Sequence, residues 1–579
     1  MFYAKDHKTR NIFDPFSFLG EKRLNLLKNS WAGLFREEVL PYLPVHLLSN
    51  HFSQTMGRPT KELHAMMGAM ILQQMKNLTD EETVRQFSFN IEWHYALGIT
   101  EQSDAATYLS TKTVWNMRAL MSKHALEGAI FDAISSRLVK VAGVDTDTQR
   151  LDSTHIFSNM KHLGRISLFV KTMKGFLTNL KRHHKALYAA LDDELIQHYM
   201  SKRGESAFSM VKPSEASHRL EDLGKDLFAL VAQFKDDDQV ASMSSYQKLV
   251  RLMHEQCIVP EEGNTEAAIE VKADKDVASD SMQNPSDPDA GYDGHKGQGY
   301  QSQLMETYSE DESAPCLITH VAVEPAHAHD SHALMPAIEE TTEKGLAPKT
   351  VLADSLYGSD ENVQNAAAQG VEVVSPVLGR NRDEGKLRLD DFFIGEDGMM
   401  QSCPAGHDPE RVVRNRKKDG YIAVFSSETC SGCPLKASCP SKHSKSGHRM
   451  RYTDKQVRLA RRRAYEQTDA FKERYRWRAG VEGTNSIGKQ TTGLDRLRVR
   501  GMQAVRFAVT MKWLGVNIMR VSKWMIAQNR DDSSCIALQY ALKWWIWACI
   551  ARAERNIRLF FVWLVFLGKS TCNHQESLG

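Results

Sequence analysis

The chain has 579 residues, of which 42% are hydrophobic and 25% charged, a balance that permits a large buried core and excludes a disordered or fibrous protein. At roughly 150 residues per domain the length corresponds to about four units. With 74 Lys plus Arg against 72 Asp plus Glu the net charge is +2, so a polyanionic partner has to be argued from local charge.

Residues 1–16 lack the apolar core of a signal peptide. The longest apolar stretches, Trp544 to Ala551 and Leu559 to Leu567, are separated by charged residues, and each falls short of the ~18 residues of a spanning helix. Nine cysteines are too few for a disulfide scaffold at this length, so a reducing, cytoplasmic compartment is expected.

From Pro59 to about Lys140 apolar residues recur at three- and four-residue spacing, as in Leu63, Met66, Met67, Met70 and Ile71, and predict amphipathic helices packed on one another. Thr79 with Glu82 is a capping box and Gly98 a stop. Short β-rich runs follow at Val141 to Asp145 and Arg150 to Phe157. A helix-patterned insertion from about Leu163 and an acidic, solvated linker to Asp293 come next. Strands are expected at Gly299 to Thr307 and Cys316 to Val323, a helix at Ala333 to Lys344, a strand at Thr350 to Asp354, a helix at Glu361 to Gly370 and a strand at Val371 to Val377. Paired strands followed by alternating helix and strand predict an α/β sheet with a parallel βαβ unit. The division expected is 1–140 helical, 141–162 first core strand, 163–292 helical insertion and linker, 293–380 core strands and helices, 381–448 cysteine-rich insertion, 449–529 basic helices, and 530–579 tail.

Asp354 ends the apolar run Thr350-Val-Leu-Ala, where open α/β sheets put their ligands, although an Asp there is often a turn residue. Asp152 lies inside a strand-like run, where a charge is costly unless paired or metal-bound. Asp145 and Asp147 sit in a polar turn and read as solvated. Tyr475, Arg478, Glu482 and Lys489 stand at offsets 0, 3, 7 and 14, which on one continuous helix fall within roughly a 60° arc. Gly480, Gly483 and Gly488 would each cost that helix about 1 kcal/mol relative to Ala, which makes sense where another group must approach closely. From Lys442 to Arg506 there are 18 Lys plus Arg against 6 Asp plus Glu, including Arg461, Arg462 and Arg463. A cationic surface around one carboxylate favours polyphosphate contact over a surface ion pair.

These motifs resemble the DDE transposases of bacterial insertion sequences, in the branch whose glutamate helix carries Tyr-x2-Arg-x3-Glu-x6-Lys. Tyr475, Arg478, Glu482 and Lys489 match that spacing. Asp152 in Leu-Asp-Ser-Thr and Asp354 in Leu-Ala-Asp-Ser-x-Tyr-Gly match the contexts of the family's two aspartates, and Asp287-Pro-Asp-Ala with Gly299-Tyr300, and Arg58-Pro59, also look like this group. The likeness spans roughly residues 50–525. It implies a ribonuclease-H-like α/β core with a helical N-terminal DNA-binding domain, and cleavage at transposon ends followed by strand transfer. It also implies Mg²⁺ or Mn²⁺ held by Asp152, Asp354 and Glu482, since two divalent ions can activate the attacking oxygen and stabilise the leaving one. Tyr475, Arg478, Lys489 and Arg461 to Arg463 would contact DNA phosphates. The implied partners are double-stranded DNA, as terminal inverted repeats and target, and a second copy of the chain. No small-molecule cofactor is implied, and the setting is bacterial and nucleoid-associated. The rivals are a non-catalytic DNA-binding descendant and a nuclease of the same fold that never joins strands.

Cys403, Cys430, Cys433 and Cys439 follow C-x26-C-x2-C-x5-C, the make-up of a structural zinc site, set against unliganded reduced thiols in a loop. The aromatics of 530–579, among them Trp544, Trp545 and Trp547, suit an oligomer or lipid contact. A shifted reading frame at the end of a decayed element accounts for them equally well.

Overall fold

The computed structural model describes residues 1–9, 14–160, 162–201, 212–259, 269–379, 385–415 and 419–528; the tail 530–579 lies outside the described residues. No helix among them is long and apolar enough to cross a membrane.

The N-terminal region is helical, with α1 (Leu63–Met75), α2 (Asp80–Phe89), α3 (Thr111–Lys123) and α4 (Leu126–Ala142). Met66, Met67, Met70 and Ile71 are all buried, each contributing about 1.5–3 kcal/mol by removal from water. Helix α2 opens on the expected box: the Thr79 amide donates to Glu82 Oε2 at 2.7 Å and the Glu82 amide to Thr79 Oγ1 at 3.2 Å. Gly98 has φ +63°. Val141 and Ala142 complete α4, so the strand predicted over Val141 to Asp145 is not formed. Gly143, at φ +61°, turns the chain and donates to the carbonyls of Lys140 and Val139, satisfying the helix end before the sheet starts.

Strand β1 (Thr148–Phe157) is followed by the inserted helices α5 (Arg165–His183), α6 (Ala216–Phe234) and α7 (Ser244–Gln256), which pack around Phe169, Met173, Phe176, Leu227 and Leu249 as a core of their own. The chain returns in β2 (Gly297–Thr307), β3 (Ile318–Pro325), α8 (Leu334–Glu343), β4 (Thr350–Ala353), α9 (Asp360–Ala368) and β5 (Glu372–Val374). The sheet order is β3-β2-β1-β4-β5. Strands β1, β2 and β3 pair antiparallel, while β4 and β5 continue parallel to β1. Despite the insertion, β1 and β2 keep a hairpin's pairing, with Asp152 opposite Leu304 and Phe157 opposite Gly299.

In the acidic stretch before Asp293, residues 273–280 are largely exposed, but the last part is packed and hydrogen-bonded. Asp287 is buried and accepts from Ser158 Oγ at 2.6 Å, Tyr300 Oη at 2.5 Å and the Gly501 amide at 3.0 Å. Asp289 accepts from the Met502 amide at 2.8 Å. The two carboxylates cap the helix over 502–528, whose first amides otherwise lack partners.

Residues 411–453, aperiodic in the sequence, form an antiparallel sheet of β6 (Arg411–Asn415), β7 (Gly420–Phe425), β8 (Lys442–Ser444) and β9 (Gly447–Thr453), in the order β6-β7-β9-β8. Helices α10 (Asp454–Glu466), α11 (Asp469–Tyr475) and α12 (Gly480–Thr492) follow, then the long helix 502–528. Trp513 on that last helix is fully buried, in one cluster with Met70 of α1, Ile134 of α4, Leu304 of β2 and Val481 of α12. The N-terminal helices therefore share a core with the sheet and with the helix that carries Glu482.

Candidate active site

Strands β1 and β4 run parallel with Leu151 opposite Ala353, so the next residues, Asp152 and Asp354, emerge side by side at the same end of the sheet. Asp152 is buried. Burial raises its pKa above the ordinary carboxylate value, Arg478 opposes the rise, and the nearby charge of Asp354 adds to it. Asp354 is half-buried, and its Oδ1 accepts from the Leu356 amide at 2.8 Å. Behind it Tyr357 is fully buried and donates to Gln303 Oε1 at 2.5 Å. Gln303 in turn donates to the buried Asp330 at 2.8 Å, and Ser153 Oγ to the same carboxylate at 3.2 Å, so the loop after β4 is braced from β1 and β2.

Glu482 reaches this corner through Arg478. Nη2 of Arg478 donates to Asp152 Oδ1 at 2.9 Å and Nη1 to Glu482 Oε1 at 3.2 Å. Asn485, one turn beyond Glu482, donates to Asp152 Oδ2 at 3.1 Å. Asp152 and Arg478 are largely buried at the side chain, whereas Glu482 is 66% exposed. The guanidinium thus stands between the two acids. Among the described residues the three carboxylates of 152, 354 and 482 do not offer ligand atoms all within 4.8 Å of one another.

The signature residues do not share one continuous helix. A 3-10 turn at Arg476–Ala479 separates α11 from α12, and at the start of α12 the buried Arg150 passes against Gly480, where a Cβ would collide with its Nη1. Arg150 donates to the Trp477 carbonyl at 3.1 Å and to Glu306 Oε1 at 2.7 Å. Glu306, fully buried, also accepts at Oε2 from Thr484 Oγ1 at 2.7 Å and Arg520 Nη1 at 2.9 Å. One carboxylate on β2 therefore ties β1, α12 and the last helix together and sets where Glu482 stands. Gly488 meets the ring of Trp513, while Gly483 faces open space. Of the three glycines, two admit a neighbouring side chain and one leaves the surface clear.

Tyr475 is half-buried, stacked on Phe471 with ring centroids 5.3 Å apart. Burial raises its pKa; the charges of Arg478, Asp354 and Asp152 also act on it, so it lines the same corner. Lys489 is partly exposed on α12. The three consecutive arginines are engaged within the protein: Arg461 donates to the Gly395 carbonyl at 2.6 Å, Arg462 to the carbonyls of Gly358 at 2.8 Å and Ser375 at 3.1 Å, and Arg463 lies 3.7 Å from Asp390. They hold α10 to the sheet and to the cysteine-rich region, not a free cationic stripe. Trp477 stacks on Tyr308 at 5.3 Å. Asp147 pairs with Lys349 at 2.6 Å, away from the acids.

The four cysteines gather at the edge of the second sheet. The Cys430 thiol is pushed up by burial and then by the neighbouring thiols of Cys439, Cys403 and Cys433. The Cys433 amide donates to the Cys430 carbonyl at 3.4 Å and the Gly406 amide to the Cys403 carbonyl at 2.8 Å, so two of the thiols sit on tight turns. No three of the thiols meet within 4.8 Å among the described residues.

Sequence reasoning missed Asn485, Glu306, Arg150 and Arg520. Asn485 was accessible, since it stands three residues after Glu482 on the same helical face. The others become linked only when β1, β2 and the last helix are brought together.

Two transposase domains are recognised in the chain. A family model described as a transposase DDE domain matches residues 402–522, spanning the cysteine-bearing sheet and Glu482, and a transposase domain model (DUF772) matches residues 32–120, in the N-terminal helices. No curated protein and no solved structure matches. The two matches support a DDE transposase of the insertion-sequence type. The domain implies a ribonuclease-H-like core and DNA as the partner.

Proposed function

We propose that the chain cuts DNA at the ends of its element and joins the freed 3′-hydroxyl to target DNA, with Asp152, Asp354 and Glu482 holding divalent metal. The observation that carries this reading is the convergence of Asp152 and Asp354 on adjacent parallel strands, with Glu482 linked to Asp152 through Arg478. The donor set fits the group: three carboxylates are hard oxygen ligands suited to Mg²⁺, and the Asp152 carboxylate is buried against Arg478, with Asn485 and the Ser153 amide as further donors. When bound, two such ions would activate the attacking oxygen and stabilise the leaving one.

The chain's own residues supply the rest. Asp152 and Asp354 form the fixed floor, braced by Tyr357 and Asp330. Glu482 is the movable third ligand. Arg478 keeps the acids charge-compensated and is displaced toward a phosphate when the site fills, and Tyr475 and Lys489 flank the path of the DNA end. Two ends have to be held at once, so the working assembly contains at least two copies. The four cysteines supply the thiolate donors that a structural zinc would take, and binding would have to draw them closer, since no three thiols meet within 4.8 Å among the described residues.

Incubation with labelled end DNA, a target plasmid and Mg²⁺ tests the reading. Joined product is expected, and Glu482→Gln should abolish cleavage while end binding persists. Cleavage without joining would make the protein a nuclease. Binding alone would make it a non-catalytic descendant, and unchanged cleavage by the variant would remove Glu482 from the site.

A further inference from the structure

Residues 1–7 lie beside the segment leading into α1. The Thr60 amide donates to the Met1 carbonyl at 2.8 Å and the Leu63 amide to the Tyr3 carbonyl at 3.0 Å. Glu62 caps α1: Oε2 accepts from the Ala65 amide at 2.7 Å, and Oε1 from the amides of His64 at 3.1 Å and Lys5 at 3.0 Å. Two imidazoles close on this carboxylate. His64 Nδ1 is 3.1 Å from Oε1, and His7 Nε2 is 3.5 Å from Oε2. One ligating atom from each of the three residues lies within 4.8 Å of the other two, the only such group among the described residues. The three side chains are only 12–14% exposed.

A helix cap accounts for Glu62 and His64, but not for His7. Its Nε2 is closed to solvent and makes no hydrogen bond, an unfavourable position for a buried polar atom. Nor can the ring drift, because it packs on Gly98, where a Cβ would meet His7 Cε1 at 2.8 Å. In a tetrahedral site with metal–ligand bonds of about 2.0–2.2 Å, the ligand atoms stand roughly 3.3–3.6 Å apart. Each imidazole faces its own oxygen of the Glu62 carboxylate, at 3.1 Å to Oε1 and 3.5 Å to Oε2, and with one ligand atom per residue the three stay within 4.8 Å of one another. His7 also borders an open cavity of about 760 Å³ with Lys5, Asp6 and Arg36, which gives water a route to a fourth position.

We propose that His7, Glu62 and His64 form a zinc site of two imidazole nitrogens, one carboxylate and a water, stapling the N-terminal segment to α1. Mixed nitrogen and oxygen donors suit Zn²⁺ better than Mg²⁺. The site is independent of the catalytic reading, since none of its residues belongs to the acid cluster.

The test is Co²⁺ titration of the full metal-free chain carrying Cys430→Ser and Glu482→Gln, which weakens the two other metal candidates. The expected result is one equivalent with the strong visible bands of tetrahedral cobalt and no thiolate charge-transfer band. His7→Gln should lower that affinity at least tenfold with an unchanged circular dichroism spectrum, because His7 Nε2 has no hydrogen bond to lose. His64→Gln should do the same, and either variant suffices if the other fails to fold. Bound metal should also slow tryptic cleavage after Lys5 and Lys8 in the parent and not in His7→Gln. Absence of the tetrahedral bands in the parent, or their survival at full affinity in the folded variants, would overturn the assignment.

Discussion

Arg478 and Asp152 are 326 residues apart in the chain and 2.9 Å apart in space, and the same guanidinium holds Glu482. Removing it leaves a buried carboxylate with no cation beside it, and breaking a buried pair costs roughly 3–5 kcal/mol, less here because the corner is partly open. Arg478→Gln should therefore destabilise the metal-free chain by about 2 kcal/mol. Mg²⁺ should restore more stability to the variant than it adds to the wild type, because a divalent ion replaces the missing charge. Thermal melts with and without Mg²⁺ decide it, and an equal Mg²⁺ effect on both proteins would mean that the guanidinium and the ion do not share a site.

Glu306 is fully buried between Arg150, Arg520 and Thr484. Glu306→Gln removes the charge that the buried Arg150 and the partly buried Arg520 pair with, at a cost on the order of 3–5 kcal/mol. Urea unfolding measures the loss. If the variant folds, end-DNA cleavage should fall further than end binding, because α12 loses its anchor while the N-terminal helices do not.

Gly480 and Gly483 separate close approach from open surface on one helix. Gly480→Ala would drive a Cβ into Arg150 and should destabilise by about 1–3 kcal/mol. Gly483→Ala meets nothing within 4 Å and should stabilise by up to about 1 kcal/mol through helix propensity. Matched denaturation curves test the pair, and similar values for both would refute the packing account of Gly480.

His155 is buried with neither ring nitrogen hydrogen-bonded. Burial lowers its pKa to about 4, with Lys296 adding to the effect. The unfolded chain then binds this proton near pH 6.5 and the folded chain does not, so stability present above pH 6.5 is lost as the pH falls towards 4. The contribution is about 2 kcal/mol between pH 7 and 5. His155→Leu should show a correspondingly smaller fall in unfolding free energy over that interval, and an identical pH dependence would show that the imidazole is already protonated in the fold.

The chain by itself determined much of the local structure: the methionine stripe of α1, the Thr79 cap, the strands around Asp152 and Asp354 and the helix around Glu482 were legible because periodicity, turn residues and motif spacing act over a few residues. It misread α4 by carrying a β-rich texture into Val141, where the left-handed Gly143 ends the helix two residues later. It also took Asp287 and Asp289 for linker acids, because the amides they cap lie more than two hundred residues away. Only the tertiary structure decided that Arg461 to Arg463 bond to the protein's own carbonyls and to Asp390, that Arg478 bridges two acids and that Glu306 anchors α12. Burial and long-range pairing set the role of a charged side chain, and neither is encoded in its neighbours along the chain.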